Sequence, residues 1–184
     1  LIWSSSVRTP SPARGRRSRS FPCFRGAELA LDVRLISTTL SAPAELEAFL
    51  AGRTVEGAVV TFTGLARGAG KDGSVVETLT LDWYPGMTER SMQDIAEAAV
   101  ARFPVTDLVV VHRCGEIVPG ETIVFVAAAA AHRREAFAAA DYLMDRLKTE
   151  AAFWKRETGP SGTRWIEPVD EDRAALARWK DETP

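Results

Sequence analysis

The chain has 184 residues, of which 46% are hydrophobic and 26% are charged, and its formal net charge is −2. This length and composition predict one domain, or one domain with a tail, that buries a sizeable core. No segment approaches the roughly 20 consecutive apolar residues of a membrane-spanning helix, so we predict no membrane span. Two cysteines, Cys23 and Cys114, and two histidines are too few for a disulfide framework or a histidine-rich metal site. We therefore expect a cytoplasmic protein with reduced thiols, no metal and no cofactor.

Residues 1–27 differ from the rest of the chain because they are rich in serine, arginine and proline and contain no acidic residue. They show no hydrophobic periodicity, so we predict a disordered basic leader. An inert upstream extension is favoured, since the chain does not begin with Met, while an organelle transit peptide and a basic tail for a polyanion stay open. Without the six arginines of this segment the net charge changes from −2 to −8, and so acidic a body argues against binding to nucleic acid.

The first predicted elements are three strands and one helix. Residues 29–37 alternate between polar and apolar side chains, which predicts a strand. A short helix follows over residues 43–52, with Ser41 as its N-cap. Residues 57–64 are apolar and β-branched, which predicts a buried strand, and residues 75–83 alternate again. A glycine-containing loop joins these two strands, so we predict a hairpin with a long tip.

The second half of the chain mixes helices with strands. Thr88 is predicted to cap a helix that runs to about Phe103. The longest helix is predicted over residues 132–150, and a last, mostly exposed helix over residues 170–181. This mixture predicts an α+β, or mixed α/β, fold with antiparallel strands and three main helices, rather than a doubly wound parallel sheet. The remaining predicted extended segments are residues 107–113, 122–131, 153–157 and 163–167.

Three basic residues, His132, Arg133 and Arg134, open the longest predicted helix directly after a strand. Cations are disfavoured at a helix N-terminus by about 0.3–1 kcal/mol each, because the helix dipole is positive there. An anion bound to the free N–H groups would explain this composition. The alternative is that the two arginines point into solvent or pair with acidic residues such as Glu135.

Two lysines, Lys148 and Lys155, lie near the end of the same helix and beside the aromatic residues Phe153 and Trp154. Aromatic neighbours can exclude water from a lysine, lower its pKa and make it an acid or base. Each lysine could equally be a surface residue that compensates the helix dipole or extends into solvent. Cys114 follows a strand without a histidine partner set by any motif, so we do not expect a catalytic thiol.

Several short segments together resemble one known family, the large, catalytic subunit of molybdopterin synthase. The resemblance covers about residues 31–168 and rests on the order and spacing of the motifs, not on any single one. The matching segments are residues 57–64 with Arg67, 84–87, His112-Arg113, Gly115-Glu116, Pro119-Gly120, 131–133, 145–148, 153–157 and Arg164-Trp165.

The resemblance implies a reaction, a fold and a set of partners. Members of the family convert cyclic pyranopterin monophosphate to molybdopterin by adding two sulfur atoms that form a dithiolene. The sulfur comes from the C-terminal Gly-Gly thiocarboxylate of a small ubiquitin-like subunit. Two large subunits form a homodimer within a heterotetramer, and the fold is an α/β hammerhead. The expected division of the chain is a leader over residues 1–27, the family domain over residues 28–168 and a partly helical C-terminal tail over residues 169–184.

The resemblance also implies roles for residues near the end of the longest helix. Lys148 is similar to the lysine beside the partner's tail and is expected to position the thiocarboxylate and to transfer protons. Lys155, Arg156 and Glu157 resemble the element that holds the pterin and stabilises its developing charge. Many relatives have proline where this chain has Ala152, a departure that leaves the spacing of the lysines intact.

Two further groups complete the site that the resemblance implies. His132 and Arg133 resemble the cradle for the substrate phosphate. Leu65, Ala66 and Arg67 resemble a second binding element, with Arg67 as its charge. Some relatives have lysine where this chain has Leu65, so a side-chain role at that position is weakened. A non-catalytic scaffold that binds a phosphate-bearing ligand or a ubiquitin-like tail stays open, as does a lysine enzyme that works through a Schiff base.

Overall fold

A computed structural model describes residues 30–167 and 170–179. The predicted leader, Cys23 and the last residues of the predicted C-terminal helix lie outside the described residues. None of the described helices is both long and apolar enough to cross a membrane. In chain order the elements are β1 (Ala30–Ile36), α1 (Ala42–Leu50), β2 (Ala58–Leu65), β3 (Thr78–Trp83), α2 (Met87–Arg102), β4 (Val105–Arg113), β5 (Gly115–Ile117), β6 (Thr122–Ala130), α3 (Arg133–Thr149), β7 (Phe153–Gly159), β8 (Gly162–Ile166) and α4 (Asp170–Ala177).

The strands form two four-stranded sheets. The first sheet has the strand order β1-β4-β6-β2, in which β1 and β4 are parallel and the other pairs are antiparallel. The second sheet has the order β5-β3-β7-β8 and is antiparallel throughout. This mixture of helices with mostly antiparallel strands confirms the predicted α+β, or mixed α/β, class. The helix that begins after Ser41 is also confirmed, since the Ser41 hydroxyl accepts a hydrogen bond from the Ala44 N–H.

Helices cover both faces of the first sheet, so its central strands are buried. On one face Val126 packs in a cluster with Leu143 of α3 and with residues of α2. On the other face Phe125 packs in a cluster with Phe49 of α1. Residues 127–130 of β6 are four alanines and are fully buried. Their small side chains allow the helices to approach this strand closely while the core stays densely packed.

Two predictions about β2 are wrong. Residues 57–64 do not form a buried strand, because β2 is an edge of the first sheet and Thr61, Phe62 and Thr63 are exposed. The predicted hairpin with β3 does not form either, since β2 pairs with β6 whereas β3 pairs with β5 and β7. An apolar, β-branched run predicts a strand but not its partner, which depends on residues distant in sequence. The loop over residues 66–77 therefore crosses from one sheet to the other.

The predicted cap of α2 is also wrong, because Thr88 lies inside the first turn of the helix. The N-cap is Gly86, with φ of 83°, and the Gly86 N–H donates a hydrogen bond to the Glu89 carboxylate at 2.8 Å. Thr88 is fully buried, and its hydroxyl accepts from the Tyr84 N–H at 3.1 Å and donates to the Ala152 carbonyl at 2.8 Å. Thr88 thus joins the start of α2 to the segment that leads into β7.

Replacing Thr88 by valine is expected to destabilise the fold by about 1–3 kcal/mol. Valine keeps the shape of threonine but leaves the Tyr84 N–H and the Ala152 carbonyl without this partner in a buried site. Urea unfolding of the variant measures the change in the free energy of unfolding. Thr54→Val is the control, because Thr54 is exposed. Equal losses in the two variants would show that the Thr88 hydroxyl contributes no more than a surface hydroxyl.

The C-terminal segment folds back onto α3. The Trp179 indole lies edge-on to the ring of Tyr142, with 5.3 Å between the ring centroids. Its Nε1 donates a hydrogen bond to the Asp145 carboxylate at 2.7 Å. No residue of α4 itself is buried, as predicted for an exposed helix. This contact holds the acidic first turn of α4 beside the end of α3, where Lys148 lies.

Candidate active site

A cleft of about 460 Å³ lies where the two sheets meet the end of α3. It brings together four residues that were predicted to belong to the site, Leu65, Arg67, Lys148 and Lys155. They come from the end of β2, the crossing loop, the last turn of α3 and β7. Arg67, Lys148 and Lys155 are the charged side chains of the described lining, and all three are cations, which suits an anionic substrate. The lining residues are Phe62, Thr63, Gly64, Leu65, Arg67, His112, Ile123, Val124, Met144, Leu147, Lys148 and Lys155.

Lys155 is held in the cleft by the pairing of β7 with β3. Its Cα lies opposite that of Leu81, which is buried, so Lys155 is on the side of the second sheet that faces the core. Successive side chains of a strand point to opposite faces, and Trp154 accordingly is exposed on the other side. Burial lowers the pKa of Lys155, the positive charge of Lys148 lowers it further, and the Asp172 carboxylate acts in the opposite direction.

Lys148 occupies the mouth of the cleft. Its side chain is 54% exposed, and its Nζ donates a hydrogen bond to the Asp172 carboxylate of α4 at 2.9 Å. A carboxylate therefore fits against this lysine at hydrogen-bonding distance. The two lysines of the site have different environments, since Lys148 is open to solvent and Lys155 is largely enclosed.

Changing the charges around Lys155 should move its pKa in opposite directions. Asp172→Asn removes a negative charge and is expected to lower the pKa further, whereas Lys148→Met removes a positive charge and should raise it. The titration can be followed by NMR of proteins with carbon-13-methylated lysines, with the exposed Lys71 as an internal control. Identical Lys155 midpoints in the wild type and both variants would show that burial alone sets its pKa.

The crossing loop is anchored immediately before Arg67. The Ala66 N–H donates to the Glu121 carbonyl at 2.9 Å, and the Ala66 carbonyl accepts from the Gly120 N–H at 2.8 Å. The Glu121 carboxylate in turn accepts a hydrogen bond from the buried Arg113 at 2.8 Å, which lowers the pKa of Glu121. Ala66 is itself buried and, although it was predicted as a site residue, does not line the cleft. Arg113 and Glu121 were assigned no role by the sequence, and they act here by holding the loop that carries Arg67.

Two predicted site residues, Arg156 and Glu157, do not line this cleft. Arg156 alternates with Lys155 along β7, and its Nε donates to the Asp82 carboxylate at 2.9 Å on the outer side of the sheet. Glu157 accepts two hydrogen bonds from Arg164, at 3.0 Å from Nε and at 2.7 Å from Nη2. Arg164 also pairs with Asp72 in the crossing loop. In this chain Glu157 thus serves to tie the crossing loop to the second sheet through Arg164.

His132 and Arg133 lie at the opposite end of α3 from Lys148. Lys148 follows Arg133 by fifteen positions in α3, which corresponds to about 22 Å along the helix axis. Both basic residues are exposed, and the His132 side chain makes no capping hydrogen bond. Together with Arg134, they line a second cavity of about 440 Å³ at the N-terminus of α3. One copy of the chain therefore does not bring the predicted phosphate cradle to the two lysines.

His112 is a further residue of the cleft that received no role from the sequence. His112, at the end of β4, is 6% exposed and lines the cleft. The signal in the sequence was its place in a motif with Arg113, but nothing local showed that β4 ends beside Lys155.

Cys114 is buried without a disulfide, and burial raises the pKa of its thiol, which disfavours a reactive thiolate. Among the described residues, no group of three or more His, Cys, Asp or Glu side chains could hold a metal ion.

Comparisons with known proteins give a consistent result. A family model described as MoaE protein matches residues 36–150. The molybdopterin synthase catalytic subunit of Caulobacter vibrioides is 55% identical over 137 residues, which cover 74% of this chain and 89% of that protein. The corresponding Escherichia coli protein is 49% identical over 131 residues, covering 71% of this chain and 87% of that protein. The solved structure of a molybdopterin biosynthesis MoaE protein from Burkholderia ambifaria has a TM-score of 0.68 and 42% identity, covering 83% of this chain and 99% of that one.

These matches confirm the resemblance on which the family assignment was based. The family model spans more than half of the chain. The two relatives share 55% and 49% sequence identity with the chain over most of their own length, which is sufficient to establish a common family. The structural match extends the agreement to the fold. The chain belongs to the MoaE protein family.

Proposed function

We propose that this chain is the catalytic subunit of a molybdopterin synthase. It converts cyclic pyranopterin monophosphate to molybdopterin by adding two sulfur atoms that form the dithiolene. The observation that carries the proposal is the cleft in which an exposed lysine, Lys148, and an enclosed lysine with a lowered pKa, Lys155, face the same space. An anionic substrate and an anionic sulfur donor both need such a site.

The reaction makes two demands that these lysines meet. At each of two substrate carbons the thiocarboxylate sulfur forms a bond while a carbon–oxygen bond breaks, and the oxygen leaves with protons from the site. Water then cleaves the acyl–sulfur bond. Sulfur stays on the substrate, and the donor's C-terminus becomes a carboxylate. Lys148, at the mouth of the cleft, binds the incoming thiocarboxylate and transfers protons. Lys155, inside the cleft, is suited to stabilise charge that develops on the pterin, because enclosed cations act more strongly than solvated ones.

The sulfur donor in this proposal is a small ubiquitin-like subunit whose C-terminal Gly-Gly carries the thiocarboxylate. The Asp172 carboxylate on Lys148 supports this, since it shows that a carboxylate can bind at the mouth of the cleft at 2.9 Å. The relatives' name, catalytic subunit, also implies a second kind of subunit. The donor's tail would displace Asp172 and occupy its place beside Lys148.

A second copy of the chain would complete the site. Phe62 on the open edge strand and Phe137 on α3 are 41% and 61% exposed and border one groove between the two cavities. Asp141 lies near the midpoint of α3 between Arg133 and Lys148. A symmetric dimer with its two-fold axis near Asp141 would run the two α3 helices antiparallel. His132 and Arg133 of one copy would then lie beside Lys148 of the other and bind the substrate phosphate.

The proposal also includes the extent of the catalytic unit and its location. Residues 28–168 form the catalytic domain, while the leader over residues 1–27 and the tail over residues 169–184 flank it. The protein acts in the cytoplasm, which agrees with the buried free thiol of Cys114, because a reducing compartment keeps such thiols unpaired. The homodimer and two donor subunits make up a heterotetramer.

A lysine enzyme that works through a Schiff base is the second candidate. An enclosed lysine with a lowered pKa, such as Lys155, is a suitable nucleophile toward a carbonyl. Borohydride reduction in the presence of a carbonyl substrate would trap such an adduct, and mass spectrometry would locate it. A third possibility, a scaffold without catalysis, would give the lowered pKa of Lys155 no role.

Reconstitution tests the proposed function directly. The purified chain is mixed with a thiocarboxylated partner and cyclic pyranopterin monophosphate, and molybdopterin is measured by its fluorescent oxidation product. The partner is first shown to be competent with the catalytic subunit of a relative. Molybdopterin formation that depends on this chain is expected. No product from a competent partner would overturn the assignment.

A further inference from the structure

His112 is a buried histidine at the wall of the cleft. It is the residue before the last one of β4, is 6% exposed and lines the same space as Lys148 and Lys155. Its imidazole is stacked on the ring of Phe153, with 4.4 Å between the centroids and 24° between the planes. These contacts fix the orientation of the imidazole, so its two nitrogens have defined surroundings.

One of these nitrogens is committed to the backbone. Nδ1 lies 2.8 Å from the Arg113 carbonyl oxygen, and a carbonyl can only accept, so Nδ1 carries the proton. Burial lowers the pKa of His112 to about 4, and the positive charge of Lys155 adds to that effect. At neutral pH the ring is therefore uncharged, and Nε2 is an acceptor with a free lone pair.

Nε2 has no hydrogen-bond partner among the residues that the structure describes. It is on the side of the ring away from the Arg113 carbonyl, and it is not among the fully enclosed unpaired atoms of the described chain. An unpaired atom that is not fully enclosed can bond a water molecule or a ligand group in the space beside it. The adjoining cleft provides the space for one.

The cleft needs an acceptor of this kind. Its charged side chains, Arg67, Lys148 and Lys155, are donors when protonated. Among the other lining side chains, only the exposed Thr63 hydroxyl and His112 Nε2 are nitrogen or oxygen acceptors. A pterin carries several N–H groups, and the protonated lysines and the arginine of the cleft cannot accept hydrogen bonds from them. A rigid neutral acceptor beside the cations would instead select for such a ring.

We propose that His112 is a substrate-contacting residue whose Nε2 accepts a hydrogen bond from an N–H or O–H group of the pterin part of the substrate. The proposal rests on the proposed function, because that function supplies the pterin. It gives His112 a part in specificity, distinct from the electrostatic parts of the two lysines. If the only role of His112 were to donate to the Arg113 carbonyl, nothing would require an unpaired Nε2 beside the cleft.

The kinetic test compares His112→Phe with His112→Gln. Phenylalanine can keep the stacking on Phe153 but has no acceptor, so KM for cyclic pyranopterin monophosphate is expected to rise by about tenfold or more. Glutamine places an amide oxygen near the position of Nε2 and should recover part of the loss. The affinity for the thiocarboxylated partner should stay at the wild-type value in both variants. An unchanged KM in His112→Phe, with an active wild type, would overturn the proposal.

A spectroscopic test does not depend on turnover or on the folding of a variant. The chain has two histidines, so nitrogen-15 NMR of the wild type shows few imidazole signals, and the His112→Gln spectrum assigns them. Saturating cyclic pyranopterin monophosphate should shift the Nε2 signal of His112 toward the hydrogen-bonded range and leave Nδ1 protonated. An unmoved Nε2 signal with bound substrate would refute the contact. A shifted signal without any product from the wild type would instead refute the proposed function and keep the contact.

Discussion

Lys148→Ala is expected to lower turnover by about 100- to 1,000-fold or more while the fold stays intact. The variant loses the cation at the mouth of the cleft, which in the proposed mechanism binds the thiocarboxylate and transfers protons. The side chain is half-exposed, so its loss leaves no cavity in the core. Single-turnover assays with saturating partner and substrate measure the effect on the chemical steps.

Matched variants separate the explanations of such a loss. Lys71→Ala removes an exposed lysine of the crossing loop and should leave turnover unchanged. Lys148→Ala also breaks the ion pair between α3 and Asp172 of α4. Asp172→Ala breaks the same pair but keeps Lys148, so it is the control for that effect. Lys148→Arg keeps the charge but is a poor proton donor, because arginine stays protonated. Recovery in Lys148→Arg would assign an electrostatic role, and near-normal turnover in Lys148→Ala would remove this residue from the mechanism.

Much of the fold could be predicted from local patterns. The helix that begins after Ser41 and the long helix α3 were predicted from a capping residue and from a 3.6-residue period. Both signals are visible in a short stretch of sequence. The partners of β2 and β3 could not be obtained in this way, because β2 pairs with β6 across about sixty residues of sequence. The position of Thr88 depends on a hydrogen bond to Ala152, which is equally distant in sequence.

The candidate site was predictable in part. The two-residue period of a strand already implies that Lys155 and Arg156 cannot face the same cleft. The helical rise likewise implies that Arg133 and Lys148 lie about 22 Å apart in one copy. His112 could not be found from its neighbours in sequence, since its position depends on where β4 ends relative to β7. Local sequence therefore identified residue types suited to the chemistry, while their grouping depended on tertiary and, in our proposal, quaternary structure.

Mixing two impaired variants should restore activity if each site contains residues from two copies. Arg133→Ala is expected to weaken substrate binding, so at low substrate concentration it is nearly as inactive as Lys148→Ala. In a mixed dimer both substitutions fall in one of the two sites, and the other site is intact. Random mixing makes about half of the dimers mixed, so about a quarter of the wild-type activity should return. Co-expression with two affinity tags and purification of the mixed dimer should raise this to about half.

The control for this experiment pairs Lys148→Ala with Lys155→Ala. These two lysines belong to the same cleft of one copy, so each site of their mixed dimer lacks one of them. No activity should return, whatever the substrate concentration. Recovery in the first mixture and not in the second can arise only if Arg133 and Lys148 act in one site from different copies. Activities of the first mixture that equal the sum of its parents would contradict the shared site and would leave His132 and Arg133 as part of a separate surface at the N-terminus of α3.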